Sequence, residues 1–315
     1  TEKIVIMKKI YLSILSLSLA AGAYAQSAVD AYQLSPSDFR GTARFMSMGG
    51  AFTALGGDIS TLNQNPAGIG IYRKSEIGIT LDINMAKTDI TAGLSKYSED
   101  KTRAYCNNFG YVGAINLDSD IMRTFNWGVS YSRVASFDRT YRAGMRGNYV
   151  PISNSVTNYI ASFTNQPASV YEYDKANKYN PYYDGNGDWL SILAYQGFLI
   201  SNNGNSTYNG LWGKNTTGDM STTVREKGYV DEYSIDFGGN VSDIVYWGVG
   251  FGITDIRYTQ TSVYDEGLSN AYIPNQSTGY RVGDGTITLG NDKLVTGSGF
   301  NFKTGLIIKP INELR

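Results

Sequence analysis

Histidine is absent from this 315-residue sequence, which removes the commonest general base and the commonest metal ligand. A Ser-His pair cannot form within the chain, so an enzyme relying on an activated nucleophile is not expected. Cysteine is almost absent too. Cys106 stands alone, which excludes an intrachain disulfide and a thiolate metal cluster, and it reads as a small packed side chain. Neither sign of charge is in excess: the net is −1, leaving no basic surplus to displace counterions from phosphates, so nucleic acid is excluded as a partner. Only one long apolar run occurs, close to the N-terminus. What is plentiful is glycine (36) and tyrosine (25), a balance unusual for a soluble enzyme.

The apolar run belongs to a secretion signal. Lys8 and Lys9 supply the positive start, Ile10 to Leu19 the apolar stretch, and Ala23, Tyr24 and Ala25 the small-residue cleavage pattern, with cleavage expected before Gln26. The pattern begins cleanly at Met7, so Thr1 to Ile6 read as upstream sequence. The run is shorter than the ~20 residues of a spanning helix, and no cysteine follows the cleavage position to carry a lipid. A secreted chain without a spanning helix is either soluble or crosses a membrane as a closed β-barrel, the other way to satisfy every backbone group in lipid.

After a polar lead-in without period (Ser27 to Arg40), the stretch Gly41 to Tyr72 is rich in small residues and irregular. Phe45, Met48, Phe52 and Leu55 are at helical spacing. Gly49 and Gly50 would weaken that helix by about 1 kcal/mol each and are expected to serve close packing. Asp58 is placed to cap a short turn through Leu62. Asn65, Pro66, Ala67 and Gly68 form a rigid corner, because the proline fixes its own φ and drives Asn65 out of the helical region. By position and composition this stretch reads as a plug.

From Glu76 the period becomes two, with Ile77, Ile79, Leu81, Ile83 and Met85 opposed to Gly78, Thr80, Asp82, Asn84 and Ala86. The same alternation marks strands at Tyr105 to Leu117, from Phe125, at Tyr229 to Val241, from Val245 and at Gly297 to Lys309. Six strands are thus expected, each long enough for the ~9 to 11 residues of a tilted transmembrane strand. Their polar faces of Gly, Ser, Asn and Thr suit a wet or plugged lumen. Asp118 to Arg123 and Ser242 to Ile244 are short connections, whereas the segments after the first, third and fifth strands read as long loops. The longest, 144–228, contains WLSILAYQGFLI (Trp189 to Ile200), an amphipathic helix or buried flap. Asp184, Asn186 and Asp188 have the opening spacing of a calcium loop, but Trp189 and Tyr195 stand where its glycine and glutamate belong, leaving an Asx-Gly turn as the reading. Asp231 and Glu232 read as a solvated rim.

The run Ala43 to Ile79 resembles the outer-membrane hydrophobic-compound channels of the long-chain fatty-acid transporter family, the FadL and TodX type. Met48, Gly49, Gly50, Ala51 and Phe52, then Gly57 and Asp58, then Asn65, Pro66, Ala67 and Gly68 carry the resemblance. It implies an all-β transmembrane antiparallel β-barrel with an N-terminal hatch inside the lumen, working as a monomer, without cofactor or metal, in the bacterial outer membrane. Hydrophobic small molecules would be taken up passively and released sideways into the outer-membrane lipid. The expected organisation is a signal within 1–25, a hatch over 26–75 and a partial barrel over 76–315 with the extracellular insertion 144–228, the chain being expected to be a piece of a longer protein. Phe45, Met48, Phe52 and Leu55 in the hatch, with Trp189, Leu190, Leu193 and Phe198 in the loop, are the candidate ligand path. A second reading keeps the barrel as a receptor or scaffold that transports nothing and captures protein cargo or haem, with tyrosine standing in for the missing histidine.

Overall fold

The computed structural model describes residues 28–35, 37–38, 40–92, 95–145, 155–275 and 279–311; the secretion signal expected over 1–25 lies outside the described residues. Period-two segments become strands here because alternate side chains leave opposite faces of a pleated backbone. They are β1 (Glu76–Ala92), β2 (Ser95–Asn116), β3 (Met122–Ser136), β4 (Arg139–Met145), and, after an insert carrying β5 (Ile200–Asn202) and β6 (Tyr208–Gly210), β7 (Thr217–Val241), β8 (Val245–Asn275) and β9 (Gly279–Ile308). The chain is mostly β, and its large sheet is antiparallel throughout, in the order β1-β2-β3-β7-β8-β9.

A seventh strand went unread in the sequence. β4 follows β3 after only Phe137 and Asp138, and both pair with β7: β3 along Tyr229 to Val241, β4 along Met220 to Glu226. They act as one ladder position interrupted by a kink. β4 was invisible because RTYRAGM is too short and too basic to show an alternating apolar face.

The long loops expected after the first and fifth strands are strand instead. β1 and β2 stay paired to Ala92 and Ser95, and β8 and β9 to Asn275 and Gly279. In these hairpin extensions cross-strand hydrogen bonds satisfy the backbone, while both faces carry Lys, Asp, Thr and Ser that erase the hydrophobic period. Only the connection after the third strand leaves the sheet, and β4 and β7 reach into its expected limits, so the described insert covers 155–216. The two short connections lie at one end of the sheet and the hairpins and insert at the other.

The insert holds helices α3 (Val156–Phe163) and α4 (Trp189–Gln196) and the β5–β6 hairpin around a core of Ile160, Tyr171, Ile192, Ile200 and Tyr208. α4 forms where a helix or flap was expected, and Asp188 caps it by accepting a hydrogen bond from the Ser191 N–H at 3.1 Å. Asp184 closes a turn with the Asn180 N–H at 2.7 Å. Leu211 docks the insert on Leu268, Ala271 and Ile287 of β8 and β9. The N–H of Val156, at the start of α3, donates to Glu266 Oε2 at 3.0 Å, setting a carboxylate at a helix N-terminus.

Burial, aided by the charges of Tyr171 and Glu172, pushes the Tyr208 phenol up to about 12. Burial and then the hydrogen bond to Glu172 push Tyr195 up as well. A raised folded-state value stabilises the insert fully below the unfolded tyrosine value of ~10 and is lost as pH rises through the folded one. An alkaline titration should therefore show tyrosinate absorbance and loss of near-ultraviolet dichroism together between pH ~10 and about 12. Tyrosinate formation with unchanged dichroism would refute this coupling.

Candidate functional site

The sheet has two unlike faces, and straight register makes each continuous. Ile79, Phe109, Tyr131, Tyr233, Ile253 and Phe300 are partners in one row across six strands, and Ile77, Tyr111, Val129, Ile235, Phe251 and Phe302 form the next. These rows point away from the rest of the molecule. Ile79 is 65% exposed, Ile253 59% and Phe300 70%, and on β1 the band continues through Leu81, Ile83 and Met85. Between these rows run Gly78, Gly110, Ser130, Ser234, Gly252 and Asn301, and then Thr80, Asn108, Ser132, Glu232, Thr254 and Gly299, on the opposite face.

Against that second face lies the segment 41–72. Thr42 caps α2 (Ala43–Ser47) by accepting from the Phe45 N–H at 3.1 Å, and Asp58 caps a 3-10 turn (Ile59–Thr61) by accepting from the Ser60 N–H at 2.9 Å. Asn65 is extended (φ −144°), and its Oδ1 accepts from the Ala67 N–H at 3.0 Å at the start of a second 3-10 turn (Pro66–Ile71). Asn65 Nδ2 donates to the Thr53 carbonyl at 2.8 Å, tying the corner back to the segment. The helix expected to reach Leu55 stops at Ser47 because Gly49 and Gly50 adopt φ +61° and +70°. Gly49 has open space where a Cβ would sit, so its role is the left-handed turn and not the close packing expected of it.

Close packing is met elsewhere, through one glycine on each of six strands. A Cβ on Gly78 or Gly110 would lie 2.7 Å from Ile59, and one on Gly128 3.1 Å from Ile69. A Cβ on Gly238 would crowd Ile69, on Gly248 would overlap the Pro66 carbonyl, and on Gly305 would overlap Asn65 Oδ1. The wall is bare where the segment rests on it. Asn126 of β3 completes the seat by donating to the carbonyls of Ile69 at 2.7 Å and Tyr72 at 2.8 Å.

Charged groups flank this seat. Arg133 grips Asp231 through two hydrogen bonds, at 2.8 and 2.9 Å, and Lys303 pairs with Glu232. Asp231 and Glu232 are thus buried ion-pair members, at 5% and 7% exposure, and the solvated rim expected for them is corrected. The register shift between Arg133 and Ala135 lies on β3, beside the partner of Asp231. The guanidinium carbons of Arg40 and Arg133 lie 5.2 and 5.3 Å from the Tyr105 ring centroid. A cavity of about 200 Å³ remains between Phe45 and Ser60 of the segment and Asn107, Ser132 and Arg133 of the wall. Its lining mixes polar residues with Phe45 and Val134, and the buried Oδ1 atoms of Asn107 and Asn108 have no protein hydrogen-bond partner.

The residues singled out in the sequence fall into two separate groups. Phe45 and Phe52 are buried against each other, ring centroids 5.8 Å apart, with Met48 exposed and Leu55 half-buried nearby in the chain. Ala67 is buried with Tyr246 and Ile307 of the wall, and Gly68 against Gly56 and Thr61. In the insert, Leu190 packs on the core, while Trp189, Leu193 and Phe198 are exposed. The structure therefore sets Asn65, Pro66 and Ala67 on the wall, packs Gly68 within the segment, and does not unite the two halves of the expected path. The wall partners Asn126, Gly248 and Gly305 were missed as site residues, although glycine recurring at polar-face positions was a readable signal.

The polar stretch Ser27 to Arg40 also has structure. It contains α1 (Ala28–Leu34), whose Gln33 side chain donates to Glu226 at 2.9 Å and to Tyr258. Leu34 packs on the cluster of Ala135, Phe137, Val230 and Tyr258.

Fold and site together define an antiparallel β protein with an apolar outer face and a glycine-studded inner face on which an N-terminal segment is seated. No family model matches the chain, and no curated protein matches it. Among the described residues no helix is long and apolar enough to cross a membrane, and no group of His, Cys, Asp and Glu is placed to hold a metal ion.

Proposed function

We propose that the chain forms the wall and hatch of an outer-membrane β-barrel channel for passive uptake of hydrophobic small molecules, long-chain fatty acids or aromatic hydrocarbons, with sideways release into the membrane. The observation that carries the proposal is the inside-out sheet, with apolar rows exposed and polar, charged and glycine positions covered. Soluble monomers rarely expose apolar patches beyond a few hundred Å², whereas lipid requires such a surface. On β9 the band from Phe300 to Ile308 rises roughly 26 Å at ~3.3 Å per residue, or about 20 Å once tilted by ~40°. That height is close to the apolar band of outer-membrane barrels.

In this reading 41–72 is the hatch, and the Asn65 corner sets how it sits on the wall. A hydrophobic ligand gains nothing from a water-filled pore, and a route that ends in the bilayer spares it desolvation of the polar lining. Trp189 and Leu193, exposed on the insert, supply apolar surface for first contact. The test is uptake of labelled oleate by bacteria that lack their own channel and make this protein. Uptake should rise several-fold above cells without it. Asn65→Ala and Pro66→Ala should change that rate at equal amounts of assembled protein, and the same oleate flux with and without the protein would sink the proposal.

A further inference from the structure

The insert carries a groove of about 530 Å³ between α4, β5 and the residues Pro274 of β8 and Gly279 of β9, lined by Glu172, Tyr173, Tyr195, Gln196, Phe198 and Asn202 among others. We propose that this groove binds a neutral carbohydrate. The inference goes beyond the reading of the apolar outer face and does not depend on it.

The chemistry of the lining favours a sugar over a hydrocarbon or an anion. The volume falls in the ~300 to 1,000 Å³ range of small-ligand sites. A hydrocarbon would have to strip water from Glu172, Gln196, Ser201 and Asn202 without replacing their hydrogen bonds, which is unfavourable for each. An anion would meet the Glu172 carboxylate with no cationic side chain among the described lining residues to offset it. Two broad rings, Tyr173 and Phe198, stand 51% and 61% exposed, a surface that an anion or a purely polar ligand would not use. A sugar satisfies both halves: its C–H face covers an aromatic ring, and its hydroxyls pair with planar carboxylate and amide groups. Those planar groups are held in place, since Glu172 accepts from the Tyr195 hydroxyl and Gln196 donates to the Tyr171 carbonyl.

Phe198 supplies an independent sign. The Phe198 N–H bonds the Tyr195 carbonyl at 3.1 Å and the Leu199 N–H bonds the Ala194 carbonyl at 2.8 Å, the pair of bonds that closes a helix through a left-handed residue. Phe198 occupies that left-handed position at φ +58°, where glycine is favoured. Gly197 lies one residue too early to relieve it. Burial does not repay the strain, because the ring is mostly exposed beside the groove. A bulky side chain held in a costly conformation without a packing gain points to a use outside folding.

The experiment uses the full chain in an amine-oxide detergent, since sugar-headed detergents would fill the groove. It is applied to an array of neutral, uronic-acid and sialylated oligosaccharides that includes maltotetraose and cellotetraose, with oleate as a competitor. Wild type should be retained by at least one neutral oligosaccharide, undiminished by oleate. Phe198→Gly should melt at the same or a higher temperature yet bind at least tenfold more weakly. Tyr173→Ala, which removes an exposed ring, should also lose at least tenfold, and it provides the test if the glycine variant folds poorly. Retention by charged glycans alone, displacement by oleate, no retention at all, or equal binding by folded variants would each overturn the proposal.

Discussion

Gly248→Val and Gly305→Val should each lower stability by about 3 kcal/mol, the upper end of what overpacking brings, and should release the segment 41–72 from the wall. At both positions the added carbons would occupy space held by backbone or by a fixed side chain: the Pro66 carbonyl over Gly248, and Asn65 Oδ1 over Gly305. Neither side can yield. β8 is hydrogen-bonded to β7 and β9 along its length, and the corner is fixed by the proline ring and by both ends of the Asn65 amide. Gly297→Val on β9 is the matched control, because nothing lies within 4 Å of a Cβ there. Denaturant unfolding gives the energy, and limited proteolysis should cut within 41–72 in the two crowded variants while the sheet survives. Equal stability of Gly248→Val and Gly297→Val would show that the segment does not rest on the wall as described.

Phe251→Arg separates a lipid-facing sheet from a water-facing one more sharply than any truncation. Phe251 is in the middle of an apolar row, its ring 5.2 Å from that of Phe302 and 6.4 Å from that of Phe300, and it is 44% exposed. On a water-facing sheet, exchanging a surface ring for a guanidinium usually changes stability by no more than ~0.5 kcal/mol. In the middle of a bilayer the same exchange costs about 2 to 4 kcal/mol. Folding into phosphatidylcholine vesicles across a urea series should show the larger value. A variant that folds like wild type, from a protein that stays monodisperse without detergent, would remove the membrane reading.

The parts of this fold that were legible in the sequence are those set by near neighbours. Alternation along β1, β3, β7 and β8 gave the two faces of the sheet, because the pleat translates period into direction. The Asn65–Pro66 corner and the Asp58 cap follow from bonds spanning two or three residues. What was not legible depends on partners far away. The hairpin extensions of β1–β2 and β8–β9 are strands only because another strand satisfies their backbone. Asp231 and Glu232 are buried because two cations, Arg133 and Lys303, receive them. The site was half readable for the same reason: its corner is local, whereas no feature of β8 or β9 alone says which glycine receives Pro66 or Asn65. The role of Gly49 was misjudged because both close approach and positive φ select glycine, and only coordinates tell them apart.

The way the insert is joined to the sheet has a mechanical consequence. Its chain enters from the side of β4 and leaves directly into β7, and both strands run along the sheet toward the short connections. A pull on the insert along that direction draws β4 and β7 together and loads the hydrogen bonds of β7 with β8 in shear. The bonds share the force instead of opening one after another, as they would if a strand were peeled from an edge. The insert is therefore tethered through the most tear-resistant part of the sheet.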